Sequence, residues 1–502
     1  MKSSIVLYIA ALTAAAVTAS SIKTGEIKVY NEPVTKSIMK SQTAAEPPAN
    51  TIDSPPIGGF VPLVALTTTD AGIEDEMTAS PASSPYGNYT APNPSEDFAI
   101  GLFDTGASVS IISYENSVLL NLFDTSHSMY PDSNYSYLTP NVMQITGANG
   151  TVDLGVTAPI GLFVQGLAAI DDQSPGSPAD LSSMMGLYNL SFGVGLGYTE
   201  FDNPTAIGCP IAACYTTVID NENRIALQRD GQTYSTPDVT IYQGWESQIP
   251  DYSTAVPLRY NPAGSTDVSY FYDMDYLMNE LMYRPQVGST LSLSYVPQQS
   301  LFFLEYVNLE NNGNEATEKT QFMFDTGAQV TVIKSALAAL LGLDGSNPDF
   351  EVEIKDATGG SEMAPGFYID RLEIPIFGEW FIATNVPVVV YDIASPAGGN
   401  LDGIIGTNLF TQFNLKIYGG LLDYSNPSLE IERFYRTADI APYYLDGVID
   451  NKDFAAFAAA WNTTAADAGW NSRCDINQDG TVDVYDLMIL TDNWLEGYLP
   501  QE

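Results

Sequence analysis

Phe103-Asp104-Thr105-Gly106-Ala107-Ser108 and Phe324-Asp325-Thr326-Gly327-Ala328-Gln329 decide how this chain is read. Each stretch follows an apolar run and precedes another, at 109–112 and 330–333, so each reads as strand, tight turn, strand. A single Asp-Thr-Gly says little. The tetrapeptide Asp-Thr-Gly-Ala occurring twice, in one context and in two halves of one chain, marks an internal duplication. Two carboxylates on equivalent turns suit a hydrolase that works with paired carboxyls.

The halves match beyond these turns. After the first comes Gln144-Ile145-Thr146-Gly147-Ala148-Asn149-Gly150-Thr151, and after the second Glu353-Ile354-Lys355-Asp356-Ala357-Thr358-Gly359-Gly360. Both read as hairpins with Gly-rich tips. Further on stand Ala206-Ile207-Gly208-Cys209 and Ile404-Ile405-Gly406-Thr407, two apolar-apolar-Gly runs preceding a strand. From residue 59 to about 435, short β-rich runs separated by Gly, Pro, Asn and Asp dominate. Examples are 60–66, 293–295, 301–307 and 386–390, and the clearest helical pattern is 334–343. The expected class is mainly β with a few short helices.

Paired carboxyls have a defined chemistry. Held a few ångströms apart they do not both ionise cheaply, so over a range of pH they share one proton. The ionised member can take a proton from a water between them, and the neutral member can donate to a carbonyl oxygen under attack. The neighbours fit. Gly106 and Gly327 let two turns approach without a Cβ clash. Thr105 and Thr326 can each bond to the opposite turn's backbone, and Ala107 and Ala328 are small enough for a crowded floor.

These residues resemble the aspartic peptidases, the pepsin-like and retropepsin-like clan, over roughly residues 59–435. The resemblance implies a bilobal, pepsin-like acid protease fold of two retropepsin-like β-barrel lobes, 59–245 and 246–435, with catalytic Asp104 and Asp325 meeting on the floor of a cleft. Thr105, Gly106, Thr326 and Gly327 would support the dyad, and Thr146, Gly147, Ala148, Asn149 and Gly150 would form a flap. No cofactor is expected in the active site. Two departures stand out. The flap tip lacks the tyrosine usual in pepsin-like enzymes, and Ala107 and Ala328 stand where a Ser or Thr often bonds the outer carboxylate oxygen. Losing that donor destabilises the ionised form, so a mildly acidic to near-neutral optimum is expected. The first apolar-Gly run continues into Cys209-Pro210, which is unusual.

Bulk properties set the setting. The 502 residues carry a formal net charge of −43, which disfavours nucleic acid as a partner and suits a solvated, exported acidic surface. Residues 1–19 read as an export signal, with Lys2, a short apolar core and Val17-Thr18-Ala19 as cleavage site. No stretch reads as a membrane span, and a secreted or cell-surface location is expected. Residues 20–58 read as linker or pro-segment. Their lysines (Lys23, Lys28, Lys36, Lys40) would suit a cationic cover over acidic sites or a plain tether. The single histidine, His127, argues against a His-ligated metal site. Cys209 and Cys214 are close enough in sequence to pair, or to stay as small buried thiols.

The tail, 436–502, changes character. Residues 475–486 have the spacing of a twelve-residue calcium loop, with Asp475, Asn477, Asp479, Thr481, Asp483 and Asp486 as oxygen ligands and Gly480 at the sharp turn. An upstream copy (Asp446, Asp450, Asp453) has Pro442 and Tyr444 where the first carboxylates belong and should bind weakly or not at all. The tail resembles a dockerin, a small α-helical paired calcium-loop module. That resemblance implies calcium as cofactor, a cohesin-like docking partner, and recognition residues at Val484 and Tyr485. The reading is thus an exported aspartic endopeptidase, monomeric through its built-in duplication, acting on protein or peptide and tethered by its tail. The rival is a non-catalytic, surface- or scaffold-attached binding protein that uses the inter-lobe cleft.

Overall fold

The computed structural model describes residues 6–9, 13–14, 50–70, 98–122, 138–147, 150–157, 160–169, 184–190, 192–195, 205–229, 232–242, 248–262, 286–287, 290–291, 300–317, 320–356, 361–394, 400–420, 425–434, 438–441, 448–464, 467, 469–471, 473–476 and 481–494. His127, the run 293–295, the hairpin-tip residues Ala148 and Asn149, and the loop residues Asn477, Asp479 and Gly480 lie outside them.

The described chain is mainly β, as its alternating β-branched and aromatic runs dictate. One ten-stranded sheet holds the first copy and one twelve-stranded sheet the second. The duplication extends to strand pairing. In the first copy Ala206–Gly208 runs parallel to Leu102, Phe103 and Asp104, and Ala206 also pairs antiparallel with Ile111. In the second, Gly403–Ile405 runs parallel to Phe322, Met323 and Phe324, and antiparallel to Val332 and Ile333. Each apolar-Gly run is therefore wedged between the two strands that flank an Asp-Thr-Gly turn. The wedge explains the glycine. A Cβ on Gly208 would lie 2.5 Å from the Val109 oxygen, and one on Gly406 would lie 2.3 Å from the Val330 oxygen.

A short helix follows each turn unit. Ser113 caps Tyr114–Leu119, its side chain accepting from Asn116 N–H. Lys334 stands before Ser335–Leu340, within the stretch whose pattern predicted a helix. The hairpins are longer than their tips suggested: Leu138–Gly147 with Gly150–Thr157, and Phe350–Asp356 with Ser361–Ile376.

A five-stranded sheet joins the copies. Thr216–Arg229 from the first pairs with Phe413–Tyr418 from the second, flanked by Gln232–Tyr242 on one side and Ser428–Arg433 and Thr254–Pro257 on the other. Beside it the buried Asn221 donates through Nδ2 to the Phe410 and Phe413 carbonyls, at 3.1 and 2.7 Å. The large buried rings of Phe324, Phe381, Phe410 and Phe413 pack edge-on or tilted against one another.

Two pieces of chain fall outside the expected plan. Residues 50–58, in the stretch read as linker or pro-segment, are built into the second copy: Thr51–Asp53 runs parallel to Ile382, Ala383 and Thr384. In the stretch read as export signal, Val6–Ile9 pairs parallel with Glu353–Asp356, and Thr13–Ala14 pairs antiparallel with Thr146 and Ile145. Both pieces answer the same need, since an edge strand presents unpaired N–H and C=O groups that an extended segment satisfies. Cys209 and Cys214 are not joined; Cys209 is buried and Cys214 half-buried. The tail forms two helices, Asn451–Ala459 and Val484–Asp492, around a separate core that includes Ile449, Phe457, Cys474, Val482 and Leu490. No helix among the described residues is long and apolar enough to cross a membrane.

Asn221→Ala should lower stability in urea by roughly 1–3 kcal/mol, because two buried carbonyls lose their donor. A shift in midpoint with an unchanged slope would show it; an unaltered midpoint would mean that the amide does not hold the copies together.

Candidate active site

Both Asp-Thr-Gly turns leave the end of a buried strand, and the two meet across the junction of the copies. The threonines make the junction. Thr105 N–H donates to Thr326 Oγ1 and Thr326 N–H to Thr105 Oγ1, both at 3.0 Å. Each hydroxyl then donates onward across the junction, Thr105 to the Phe324 carbonyl at 2.9 Å and Thr326 to the Phe103 carbonyl at 2.6 Å. All four bonds are buried. A hydroxyl has one proton and two lone pairs, so each threonine accepts from one backbone group of the other turn and donates to another.

The glycines set the closeness. A Cβ on Gly106 would lie 2.2 Å from Cγ of Asp325, and one on Gly327 would lie 2.6 Å from Cγ of Asp104. Each carboxyl is thus seated over the glycine of the opposite turn, at a distance that no side chain permits.

Within each turn, one carboxylate oxygen is held by backbone. Asp104 Oδ1 accepts from Gly106 and Ala107 N–H at 2.9 and 3.0 Å. Asp325 Oδ1 accepts from Gly327 and Ala328 N–H at 2.8 and 3.0 Å. Oδ2 of each has no hydrogen-bond partner. Both aspartates are fully buried. Burial raises Asp104 well above the ordinary carboxylate range, and the charge of Asp325 raises it further; the Gly106 and Ala107 N–H groups oppose this. Burial also raises Asp325, to about 6, while the neighbouring Asp104 carboxyl and the N–H groups of Gly327, Ala328 and Gly106 hold it down. The direction agrees with the expectation from Ala107 and Ala328, but burial is the main cause.

The floor beneath is apolar and duplicated. Ala107, Val109, Ile111, Leu154 and Ala206 pack together in the first copy, and Ala328, Val330, Val332, Val352 and Ile404 belong to the matching cluster in the second. The Ala107 carbonyl accepts from Cys209 N–H at 2.8 Å and the Ala328 carbonyl from Thr407 N–H at 2.9 Å. Cys209-Pro210 therefore leaves this bond intact.

Residues 307–409 match the family model described as aspartyl protease. The match holds the second turn, the second hairpin and Gly406. Among solved structures, the crystal structure of an aspartic proteinase from Irpex lacteus matches at 14% identity and a TM-score of 0.34, covering 68% of this chain and 95% of that chain. No curated protein matches this chain.

Thr146, Gly147 and Gly150, expected to form a flap, lie on the first hairpin. Of the loop residues in the tail, Asp486 is fully buried and accepts from Asp483 N–H at 2.8 Å, Asp483 caps the final helix, and Asp475 is nearly buried. In the upstream copy, Asp453 Oδ1 accepts from Ile440 and Ala441 N–H, and its Oδ2 from Asp450 N–H. Residues 442–447 of that copy, Pro442, Tyr444 and Asp446 among them, lie outside the described residues. Among the described residues no group of three or more His, Cys, Asp or Glu side chains is placed to hold a metal ion. Sequence reading missed Gly59, Pro62, Gln329 and Asn408, which contact the two Asp-Thr-Gly turns or their supports. The only signal was that Ser108 and Gln329 differ at one position of the duplicated motif.

The raised carboxyls have a cost that can be measured. The folded pKa of Asp325 exceeds its unfolded value of 3.8, so its contribution to stability is fully present below that value and lost as pH rises through about 6. Asp325→Asn removes the loss. The variant should be more stable than the parent at neutral pH, on the order of 1–3 kcal/mol, with the difference vanishing toward pH 4. Denaturation at both pH values checks this, and a variant less stable at neutral pH would contradict it.

Proposed function

We propose that this chain is an aspartic endopeptidase in which Asp104 and Asp325 hydrolyse peptide bonds by sharing one proton. The observation that carries this reading is the reciprocal seating of each carboxyl over the other turn's glycine; the family match over residues 307–409 supports it. Oδ1 of each aspartate is committed to its own turn, which leaves the two Oδ2 atoms for proton transfer. The ionised carboxyl takes a proton from a water lying between them, and the resulting hydroxide equivalent attacks the peptide carbonyl. The neutral carboxyl donates to the carbonyl oxygen, giving a tetrahedral diol, and a carboxyl then protonates the leaving nitrogen. Burial helps this cycle by keeping one proton on the pair at pH values where isolated carboxyls have lost theirs.

The substrate is an extended peptide. The strands Phe350–Asp356 and Leu138–Gly147 offer hydrogen-bonding edges, and the chain's own residues 6–9 and 13–14 lie along them as strands. A peptide bound in this way gains affinity from backbone bonds and specificity from alternate side chains, with apolar residues flanking the scissile bond. Wild-type protein should cleave casein across roughly pH 3 to 8 with a mildly acidic to near-neutral maximum, be blocked by pepstatin, and lose cleavage on Asp325→Asn. A maximum at about pH 2 would refute the pH reading; undiminished cleavage by the variant would end the assignment.

We further infer that the protein is exported and held by its tail. Asp475, Asn477, Asp479, Thr481, Asp483 and Asp486 would hold one calcium ion, since hard oxygen donors at this spacing suit it, and the burial of Asp475 and Asp486 favours a cation beside them. Bound calcium would draw these carboxylates together and fix the loop ahead of the final helix. Val484 and Tyr485, 50% and 62% exposed, would meet the docking partner. Calcium should raise the tail's melting temperature in the full chain, and Asp475→Ala should abolish the rise. A chelator-insensitive tail would remove calcium from the account.

A further inference from the structure

We propose that residues 59–62 are a tie across the floor of the site that holds both catalytic turns in register, with Gln329 as its positioning residue on the second turn. The proposal rests on the peptidase reading for its consequence, not for its geometry.

The segment reaches the second turn first. Gly59 N–H donates to the Gln329 carbonyl at 2.7 Å, and Gln329 Nε2 donates back to the Gly59 carbonyl at 3.1 Å. Gln329 is buried and lies four residues beyond Asp325. The glycine is required. A Cβ there would lie 2.3 Å from Asn408 N and 2.4 Å from Thr407 Oγ1, in the segment that follows Gly406. Asn408 is itself anchored: its Oδ1 accepts from Thr331 Oγ1 at 2.9 Å, and its Nδ2 donates to the Pro56 carbonyl at 3.4 Å.

Three residues later the same segment reaches the first turn. The Pro62 carbonyl accepts from Phe103 N–H at 2.9 Å, one residue before Asp104. Between the two anchors, the Arg224 guanidinium lies 3.5 Å over the Phe60 ring, and Thr236 Oγ1 donates to the Val61 carbonyl at 2.9 Å. Three residues span at most roughly 10–11 Å, so the two turns are strapped together by a short piece of chain.

The tie is anchored at its start on the second copy. Ile382 N–H donates to the Asn50 carbonyl and Ser54 N–H to the Thr384 carbonyl, at 2.9 and 2.8 Å. Arg433 donates to the Thr51 carbonyl at 2.6 Å, and Ile57 packs into the second copy's floor with Ala328 and Val330. Residues 50–59 therefore belong to the second copy and residues from Val64 on to the first. A maturation cut that leaves the site intact must fall before Asn50.

The threonine bonds fix the two turns at one point, and the tie adds a second, which resists rotation of one carboxyl past the other. Loosening it lets the carboxyls separate. Their mutual influence falls with distance, so the two steps in which the pair titrates draw together. A variant that is only less stable loses active molecules without moving those steps. The experiment uses the full chain with Gln329→Met, which keeps the volume and removes the amide, and with Gly59→Ala. The two titration steps are followed in the kcat profile on casein and, independently of turnover, by the carboxyl carbon shifts of labelled aspartate. The expected result is a narrowed separation in both variants, with kcat lowered roughly tenfold or more and KM little changed. Unaltered separation in folded Gln329→Met overturns the tie, while a wild type that titrates as a coupled pair but leaves casein uncut overturns the peptidase reading instead. N-terminal sequencing of the active enzyme gives a test that needs no variant. It should begin at or before Asn50, and a fully active species beginning after Pro62 would overturn the tie.

Discussion

The site depends on two turns that bond to each other across the junction of the copies. Thr105 and Thr326 exchange backbone-to-hydroxyl bonds across the junction, and each hydroxyl passes its own proton to a carbonyl beyond. None of the four bonds exists within one copy alone. Buried polar groups left without partners are expensive, so each half folded by itself would carry the defect that the other half repairs. That is a physical reason for the halves to stay together. The joining sheet adds to it, since its central pairing of Thr216–Ile219 with Leu415–Tyr418 also crosses between copies.

The same closeness makes the chemistry. Glycine at 106 and 327 leaves out Cβ atoms that would collide with the opposite carboxyls, and burial then raises both acids. The fold accepts a local instability in order to keep a proton where a bare surface carboxylate has none. The N–H groups of residues 106, 107, 327 and 328 temper that instability, because each holds one oxygen in its charged form. The partition between a tethered Oδ1 and an unpartnered Oδ2 follows from the turn itself.

Much of this was legible in the sequence because it is local. The Asp-Thr-Gly turns, the hairpins and the apolar-Gly runs are short strings with their own geometry, and their repetition confirmed each by the other. The helix after Lys334 was equally local, while Asp483 and Asp486, read from the sequence as cation ligands, also cap the final helix. Other features depended on where distant chain lands. Asn221, Asn408 and Gln329 are ordinary polar residues until folding brings carbonyls from another copy or another segment beside them. Residues 50–58 looked like linker because Ser54, Pro55, Pro56 and Gly58 give the stretch little periodicity. Yet those are the residues that let a chain run flush against the second copy's backbone, where Gly59 has no room for a side chain.

Duplication explains the symmetry of the site, and chain connectivity explains where the symmetry fails. The first copy continues directly from the segment at 59–62, so that segment can pass beneath both turns only once. It lies against the second turn through Gln329 and against the first through a backbone bond alone. The residue that follows Asp-Thr-Gly-Ala is therefore free to differ, serine at 108 and glutamine at 329. A true dimer of identical halves would need the same residue at both places, and would have to meet two different environments with one side chain. Joining the copies in one chain removes that conflict, and the amide of Gln329 then serves a contact that exists on one side only.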